Sequence, residues 1–275
     1  MPRIDQVLVT QNLAESRAHA QRLVSDGRVS WHNGRDWQTV KKASYELDET
    51  TPLQVADSDT DKFVSRAGMK LAGALAHTQL SVAGLNVLDL GTSTGGFADC
   101  LLQNGAARVI GVDVGHGQLH PRLQGEPRLT VFENLNARYL NAETLAERFA
   151  DLNDENKNVA PITHGFAQFF DLAVADLSFI SLTKVLPIFT TNDDSLLKPN
   201  GHILMLVKPQ FELDADALSK AGIVKDPARY AEVQANILQA CVAQNLTVLD
   251  YFASPITGTD GNYEFFVFAQ FQPNN

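Results

Sequence analysis

Two groups of residues in this 275-residue sequence have the types and spacing to do chemistry. The first is a pair of acids around a glycine-rich turn, "VLDLGTSTGGFADCLL" at residues 87–102. This stretch reads as a buried strand, a tight turn and the start of a helix. A P-loop needs a Lys-Ser/Thr pair after its last glycine, and none is present. The dinucleotide pattern G-x-G-x-x-G also fails, because the glycines are Gly91, Gly95 and Gly96. Asp89 stands two residues before Gly91, and Asp113 closes the next apolar run 22 residues beyond it. A carboxylate there can accept hydrogen bonds from both hydroxyls of a ribose. An acid beside the loop repels a pyrophosphate and suits a ligand with an ammonium and a sulfonium charge. S-adenosylmethionine fits these residues best. The competing reading is a turn that does no more than pack helix on strand.

The second group is a set of alternating charges at the ends of apolar runs. "LAVADLSFISL" ends its apolar run with Asp176, "ILMLVKPQFE" with Lys208, and "GTDGNYEFFVF" puts Glu264 at the mouth of the last one. Lys70, in "SRAGMKL", heads a helix. A single buried Lys or Asp is usually half of a structural ion pair. Four alternating charges at one edge can be dehydrated together, because each neutralises a neighbour.

The elements that must position these residues alternate between strand and helix from residue 66 onward. Strands are expected at "NVLDLG", "ARVIGVDV", "RLTVFEN", "FFDLAVADL", "HILMLVKP", "TVLDYFAS" and "YEFFVFAQF". Helices are expected at "FADCLLQNG", "AETLAERFADL", "LTKVLPIF" and "PARYAEVQANILQACVAQN". Apolar strands alternating with helices predict an α/β fold with a mostly parallel sheet covered on both faces. "PITGTDGN" is too short for a helical crossover, so the last two strands should pair antiparallel at the end of the sheet. Residues 151–165 read as a polar surface loop.

Residues 3–55 read as a separate small α+β unit. Ser16 is the expected N-cap of a helix that stops at Gly27. "RVSW" is then a strand, "HNG" a turn and "PLQVA" a second strand. The acidic stretch "ADSDTD" at 56–61 reads as a linker.

The formal charge of −10 argues at first against a nucleic-acid partner. It is unevenly spread: residues 1–80 hold ten basic and ten acidic residues, and residues 1–35 five arginines against three acids. A basic face on an acidic protein therefore remains open. Two cysteines, Cys100 and Cys241, make neither a disulfide framework nor a zinc site, and a reducing cytoplasm is the expected compartment. No leader and no apolar run of spanning length is visible, and a pore-forming cytolysin would need an insertion segment that the sequence does not offer. His116 and His120 have zinc-like spacing, but Gly117 and Pro121 disfavour a helix there and no third ligand is near, so no metal is expected.

Taken in order, "SRAGMKL", "VLDLGTSTGGFADCLLQNGAARVIGVDVGHGQL", "ADLSFISL", "VKPQFE", "GIVKDPARY" and "SPITGTDGNYEFF" resemble the TlyA family of ribosomal-RNA 2′-O-methyltransferases, relatives of the FtsJ-type enzymes once labelled haemolysins. The N-terminal unit resembles the S-four-type RNA-binding domain. The resemblance implies an RNA-binding domain at 1–55, a linker at 56–65 and a Rossmann-like S-adenosylmethionine-dependent methyltransferase domain at 66–275. It places the family's catalytic tetrad on Lys70, Asp176, Lys208 and Glu264. On that reading Lys208 accepts the 2′-hydroxyl proton, its pKa lowered by partial burial and by Lys70, while Asp176 and Glu264 orient the lysines and the hydroxyl.

Cofactor contacts fall on Asp89, Gly91, Ser93, Gly95, Gly96, Phe97, Asp113, Glu133 and again Asp176, although Phe97 and Cys100 also read as core residues. Phosphate contacts to ribosomal RNA or ribosomal subunits are expected from Arg3, Arg17, Arg22, Arg28 and Arg66. Trp31 and Trp37 stand equally well for base stacking and for core packing. Ala67 replaces a glycine common in the family. A non-catalytic RNA-binding or ribosome-assembly factor is the alternative function.

Overall fold

The computed structural model describes residues 1–14, 16–56, 62–154, 165–190, 195–258 and 261–273. The chain forms two compact units, Met1–Lys62 and Phe63–Asn275.

In the first unit, helices α1 (Ile4–Thr10) and α2 (Arg17–Ser25) accompany strands β1 (Val29–His32), β2 (Trp37–Thr39) and β3 (Leu53–Val55). Ser16 caps α2, its Oγ accepting from His19 N at 3.2 Å. Gly27 takes φ +69° just past the helix end, as a chain reversal there requires. The sheet has three strands, in the order β2-β1-β3 and antiparallel throughout. The expectation of two strands missed β2, whose residues are exposed along its length and show no buried alternation. A core of Ile4, Leu8, Ala20, Leu23, Val24 and Val29 closes the unit, with Trp31 packed against it. Trp37 is 47% exposed, so core packing accounts for Trp31 and not for Trp37.

The second unit contains α3 (Arg66–Thr78), β4 (Asn86–Leu90), α4 (Gly96–Gln103), β5 (Arg108–Val112), β6 (Leu129–Phe132), α5 (Ala142–Asp154), β7 (Phe170–Ala175), β8 (Leu197–Val207), α6 (Pro209–Glu212), α7 (Arg229–Ala243), β9 (Leu246–Ala253) and β10 (Phe265–Phe271). Its sheet order is β6-β5-β4-β7-β8-β10-β9. The β4, β5, β6, β7 and β8 pairings are parallel, and β10 runs antiparallel between β8 and β9. The period of two along each strand sorts the core onto both faces. Leu88, Leu90, Ile110, Val112, Ala173 and Met205 face one cluster with α5 and α7. Val87, Val109, Leu172, Val174, Leu204 and Phe266 face another with α3 and α4.

Two expectations need correction. "LTKVLPIF" is not an α-helix but two short 3₁₀ turns, Leu182–Lys184 and Leu186–Phe189. Pro187 cannot donate within a helix, yet Leu182, Val185, Leu186 and Phe189 remain buried, which gave the segment its helical pattern. The stretch 151–165 is not all loop, because α5 runs on to Asp154; residues 155–164 lie outside the described residues, as do 57–61 of the expected linker.

Candidate active site

Parallel strands β7 and β8 deliver their next residues to one edge of the sheet: Asp176 follows β7 directly and Lys208 follows β8. Because β10 runs the other way, it is the residue before it, Glu264, that reaches the same edge. Lys70 comes from the second turn of α3. That helix approaches α4 closely because both are glycine at the contact: a Cβ on Gly68 would stand 2.8 Å from the Gly96 carbonyl oxygen.

The four charges pair off. Lys70 Nζ lies 2.6 Å from Glu264 Oε2, and Lys208 Nζ lies 2.6 Å from Asp176 Oδ1. Lys208 Nζ also donates to Ser178 Oγ at 3.0 Å. Both pairs line one cleft of about 360 Å³, together with Arg66, Phe179, Gln210 and Phe211. The carboxylates are shielded from water, so losing a partner lysine would leave a poorly compensated charge.

A larger basin of about 890 Å³ adjoins the cleft and shares Asp176, Ser178, Phe179, Gln210 and Phe211 with it. Gly91, Ser93 and Asp113 line the basin on the side of β4 and β5. Gly91 takes φ +80°, and a Cβ there would stand 2.7 Å from the Asp176 carbonyl oxygen; only glycine lets the turn lie against the end of β7. Asp113 is held by backbone, accepting from Ser93 N at 2.7 Å and Gly115 N at 2.6 Å. Asp89 is fully buried, and neither carboxylate oxygen has a hydrogen bond of ordinary geometry. Burial first, and then the nearby Asp176 charge, push its pKa up to about 8.

Other expected residues go elsewhere. Gly95 is roofed by Leu123 and Leu119, Gly96 packs against α3, and Phe97 is buried in the core against Phe266. Cys100 is likewise buried. Glu133 lines a separate cavity, where it binds His116 Nδ1 at 2.8 Å and Gly117 N at 2.8 Å. His120 Nδ1 accepts from Arg122 N, and the 116–120 stretch is not helical. In the first unit, Arg3 and Arg17 converge on the fully buried carboxylate of Asp5 at 3.0 and 3.4 Å. Arg28 is tied to the Ala56 carbonyl, and Arg22 is exposed on α2.

Three features of the site escaped the reading of the sequence. Phe179 is 92% exposed with φ +64°, a conformation that a bulky residue rarely adopts, and its ring lies 5.1 Å from that of Phe211. Asn262 is buried and staples the approach to Glu264, donating to Gly222 O at 3.0 Å and accepting from Val224 N at 3.2 Å. Gly258 lies against Glu264, where a Cβ would stand 2.8 Å from Oε1. "GTDGN" carried the only hint, as a turn-rich run just before a strand.

A seven-stranded, mostly parallel sheet with an antiparallel penultimate position, a glycine-rich turn after β4 and acids at the ends of the next strands define a Rossmann-like methyltransferase. The chain belongs to the FtsJ-like methyltransferase family, which matches residues 63–271, and residues 2–51 match the S4 domain. It is 37% identical over 263 residues to YqxC of Bacillus subtilis, designated an rRNA methyltransferase, covering 96% of this chain and 83% of that protein. It is 36% identical over 270 residues to the 16S/23S rRNA (cytidine-2'-O)-methyltransferase TlyA of Mycobacterium tuberculosis, covering 98% of this chain and 90% of that protein. A solved structure from Streptococcus thermophilus that carries a hemolysin designation superposes with a TM-score of 0.69 at 32% identity, covering 100% of this chain and 90% of that one. Among the described residues, no helix is long and apolar enough to cross a membrane.

Proposed function

We propose that this protein transfers a methyl group from S-adenosylmethionine to the ribose 2′-hydroxyl of a cytidine in ribosomal RNA, and that it does so in the cytoplasm. The observation that carries the reading is the convergence of two Lys–carboxylate pairs on one cleft, beside a basin fit for the cofactor. The fit rests on chemistry. Asp113, in the basin wall, can accept from ribose hydroxyls, and Asp89, at the end of the neighbouring strand, is a buried carboxylate whose oxygens have no hydrogen bond of ordinary geometry among the described residues. When bound, the cofactor supplies an electrophilic methyl on a sulfonium.

A ribose hydroxyl is a very weak acid, so its proton must be removed as the oxygen attacks. Lys208 Nζ, positioned by Asp176 and Ser178, is the group that accepts it, as the neutral amine left once its own ammonium proton has gone to solvent. Lys70, locked to Glu264, balances the charge of the cleft and sets the position of the hydroxyl. Phe179, exposed beside Lys208, offers an apolar face on which the target base can stack. Arg66 at the cleft, and Arg3, Arg17, Arg22 and Arg28 on the first unit, supply contacts to phosphates.

The test is transfer of labelled methyl to purified ribosomal subunits and to naked rRNA by wild type and Asp176→Ala. Label at one alkali-resistant site, lost in the variant, is expected. Cofactor binding with no label in any RNA would overturn the catalytic reading in favour of a ribosome-assembly factor.

A further inference from the structure

One buried polar atom in the cleft has no role in the chemistry above. The side-chain carbonyl oxygen of Gln210 is shut off from solvent and has no hydrogen-bond donor among the described residues. Gln210 lines both the cleft and the basin, so its side chain stands at their shared wall rather than in the core. Buried amide oxygens nearly always find a donor, and one left over beside a binding cavity is free to take a donor that arrives with the ligand.

The backbone around Gln210 is clamped. Gln210 is the second residue of α6, between Lys208, paired with Asp176, and Glu212, which accepts from Ser181 Oγ at 2.5 Å and Leu182 N at 2.7 Å. Pro209 is buried and fixes its own φ. The acceptor is therefore presented by a rigid segment, next to the Phe179–Phe211 pair that offers a stacking face.

We infer that Gln210 is the specificity residue that reads the target base, accepting a hydrogen bond from the exocyclic amino group of a cytosine stacked beside Phe179. The inference rests on the ribose methyltransferase reading and adds to it a residue for base choice. Cytosine carries a donor where uracil carries a carbonyl, so uracil would set two acceptors against each other with no proton between them. A site built around such a bond rejects the analogue that lacks it, because its own polar group is left unpaired.

The experiment uses the full chain. The methylated nucleotide is first mapped with wild type, then replaced in the rRNA substrate by uridine or by the amino-free pyrimidin-2-one ribonucleoside. Wild type is expected to favour cytidine over the amino-free base by about tenfold or more in kcat/KM. In Gln210→Leu that ratio should fall to near one. Gln210→Glu, which can only accept, should keep the preference for cytidine. A ratio that persists in Gln210→Leu overturns the proposal, as does a loss of cofactor affinity with the ratio intact, which would assign Gln210 to the cofactor. Should the leucine variant fail to fold, loss of the preference in Gln210→Glu overturns it as well. If wild type methylates no RNA at all, the underlying reading falls first and this one with it.

Discussion

Lys208 Nζ stands 2.6 Å from Asp176 Oδ1, each residue lying one position past the end of one of two adjacent parallel strands. Neighbouring strands thus bring lysine and carboxylate together without any loop having to fold first. Lys208→Ala should lower methyl transfer by at least about a hundredfold while cofactor affinity, measured by calorimetry, stays within a few-fold. Equal loss of both would remove Lys208 from the chemistry.

Glu264 is held by what does not stand beside it. Alanine at Gly258 would place a Cβ 2.8 Å from Glu264 Oε1, and the carboxylate end is the part free to give way. Gly258→Ala should therefore shift Glu264 off Lys70, cost about tenfold to a hundredfold in turnover, and lower the Tm because the disrupted pair is nearly buried. A drop in Tm with full activity would refute this account.

Asp89 makes the system pH-dependent in two ways. Its folded-state pKa, raised to about 8, lies above its ordinary value, so the free protein holds a proton there that the unfolded chain releases at lower pH. The contribution to stability is complete below the ordinary carboxylate range and is lost as pH rises towards 8. On the proposed reading the cationic cofactor near Asp89 favours the carboxylate, so binding near pH 7 should release a proton and tighten as pH rises to about 8. Calorimetry in buffers of different ionisation enthalpy measures that proton. Asp89→Asn should abolish both the release and this part of the stability slope.

Phe179 combines nearly full exposure with a left-handed backbone, so its side chain contributes little to folding and strains the chain. Phe179→Gly should leave stability unchanged or raise it by up to about 1 kcal/mol while raising KM for RNA. Denaturant melts and initial rates on the same preparation decide; a loss of several kcal/mol would show that the ring is a packing residue.

In the first unit, Asp5→Asn should lower stability by about 1–3 kcal/mol and weaken RNA binding, because Arg3 and Arg17 lose their common anchor. Arg22→Ala, on an exposed face, should weaken RNA binding and reduce the salt slope by about 1 with stability nearly unchanged. Identical effects of the two changes would refute the anchoring role of Asp5.

The central strands and the tetrad were legible in the sequence because buried strands carry uninterrupted apolar runs and their ends carry the odd charges out, as at Asp176 and Lys208. The antiparallel β10 followed from the length of "PITGTDGN". What stayed hidden depends on approach rather than on pattern. Nothing in "GTSTGGF" distinguishes Gly91, which faces the basin, from Gly95 under two leucines and Gly96 against α3. Glu133 ends its strand as Asp113 does, but a contact with His116 turns it into another cavity. Exposed β2 has no buried face to announce it, and the positive φ of Phe179 leaves no mark on residue type.

The reversed direction of β10 has a consequence for how the active site comes into being. Lys70 belongs to the first helix of the second unit and its counter-charge to the residue that opens the last strand. During synthesis, the lysine would wait through nearly two hundred residues of chain before its partner is made. Until β10 slots between β8 and β9, Lys70 lacks the carboxylate it pairs with in the folded protein, and the sheet still has a gap. Closing the sheet and completing the tetrad are therefore one event, so a chain halted before that strand would be unfinished as a fold and inert as a catalyst at once.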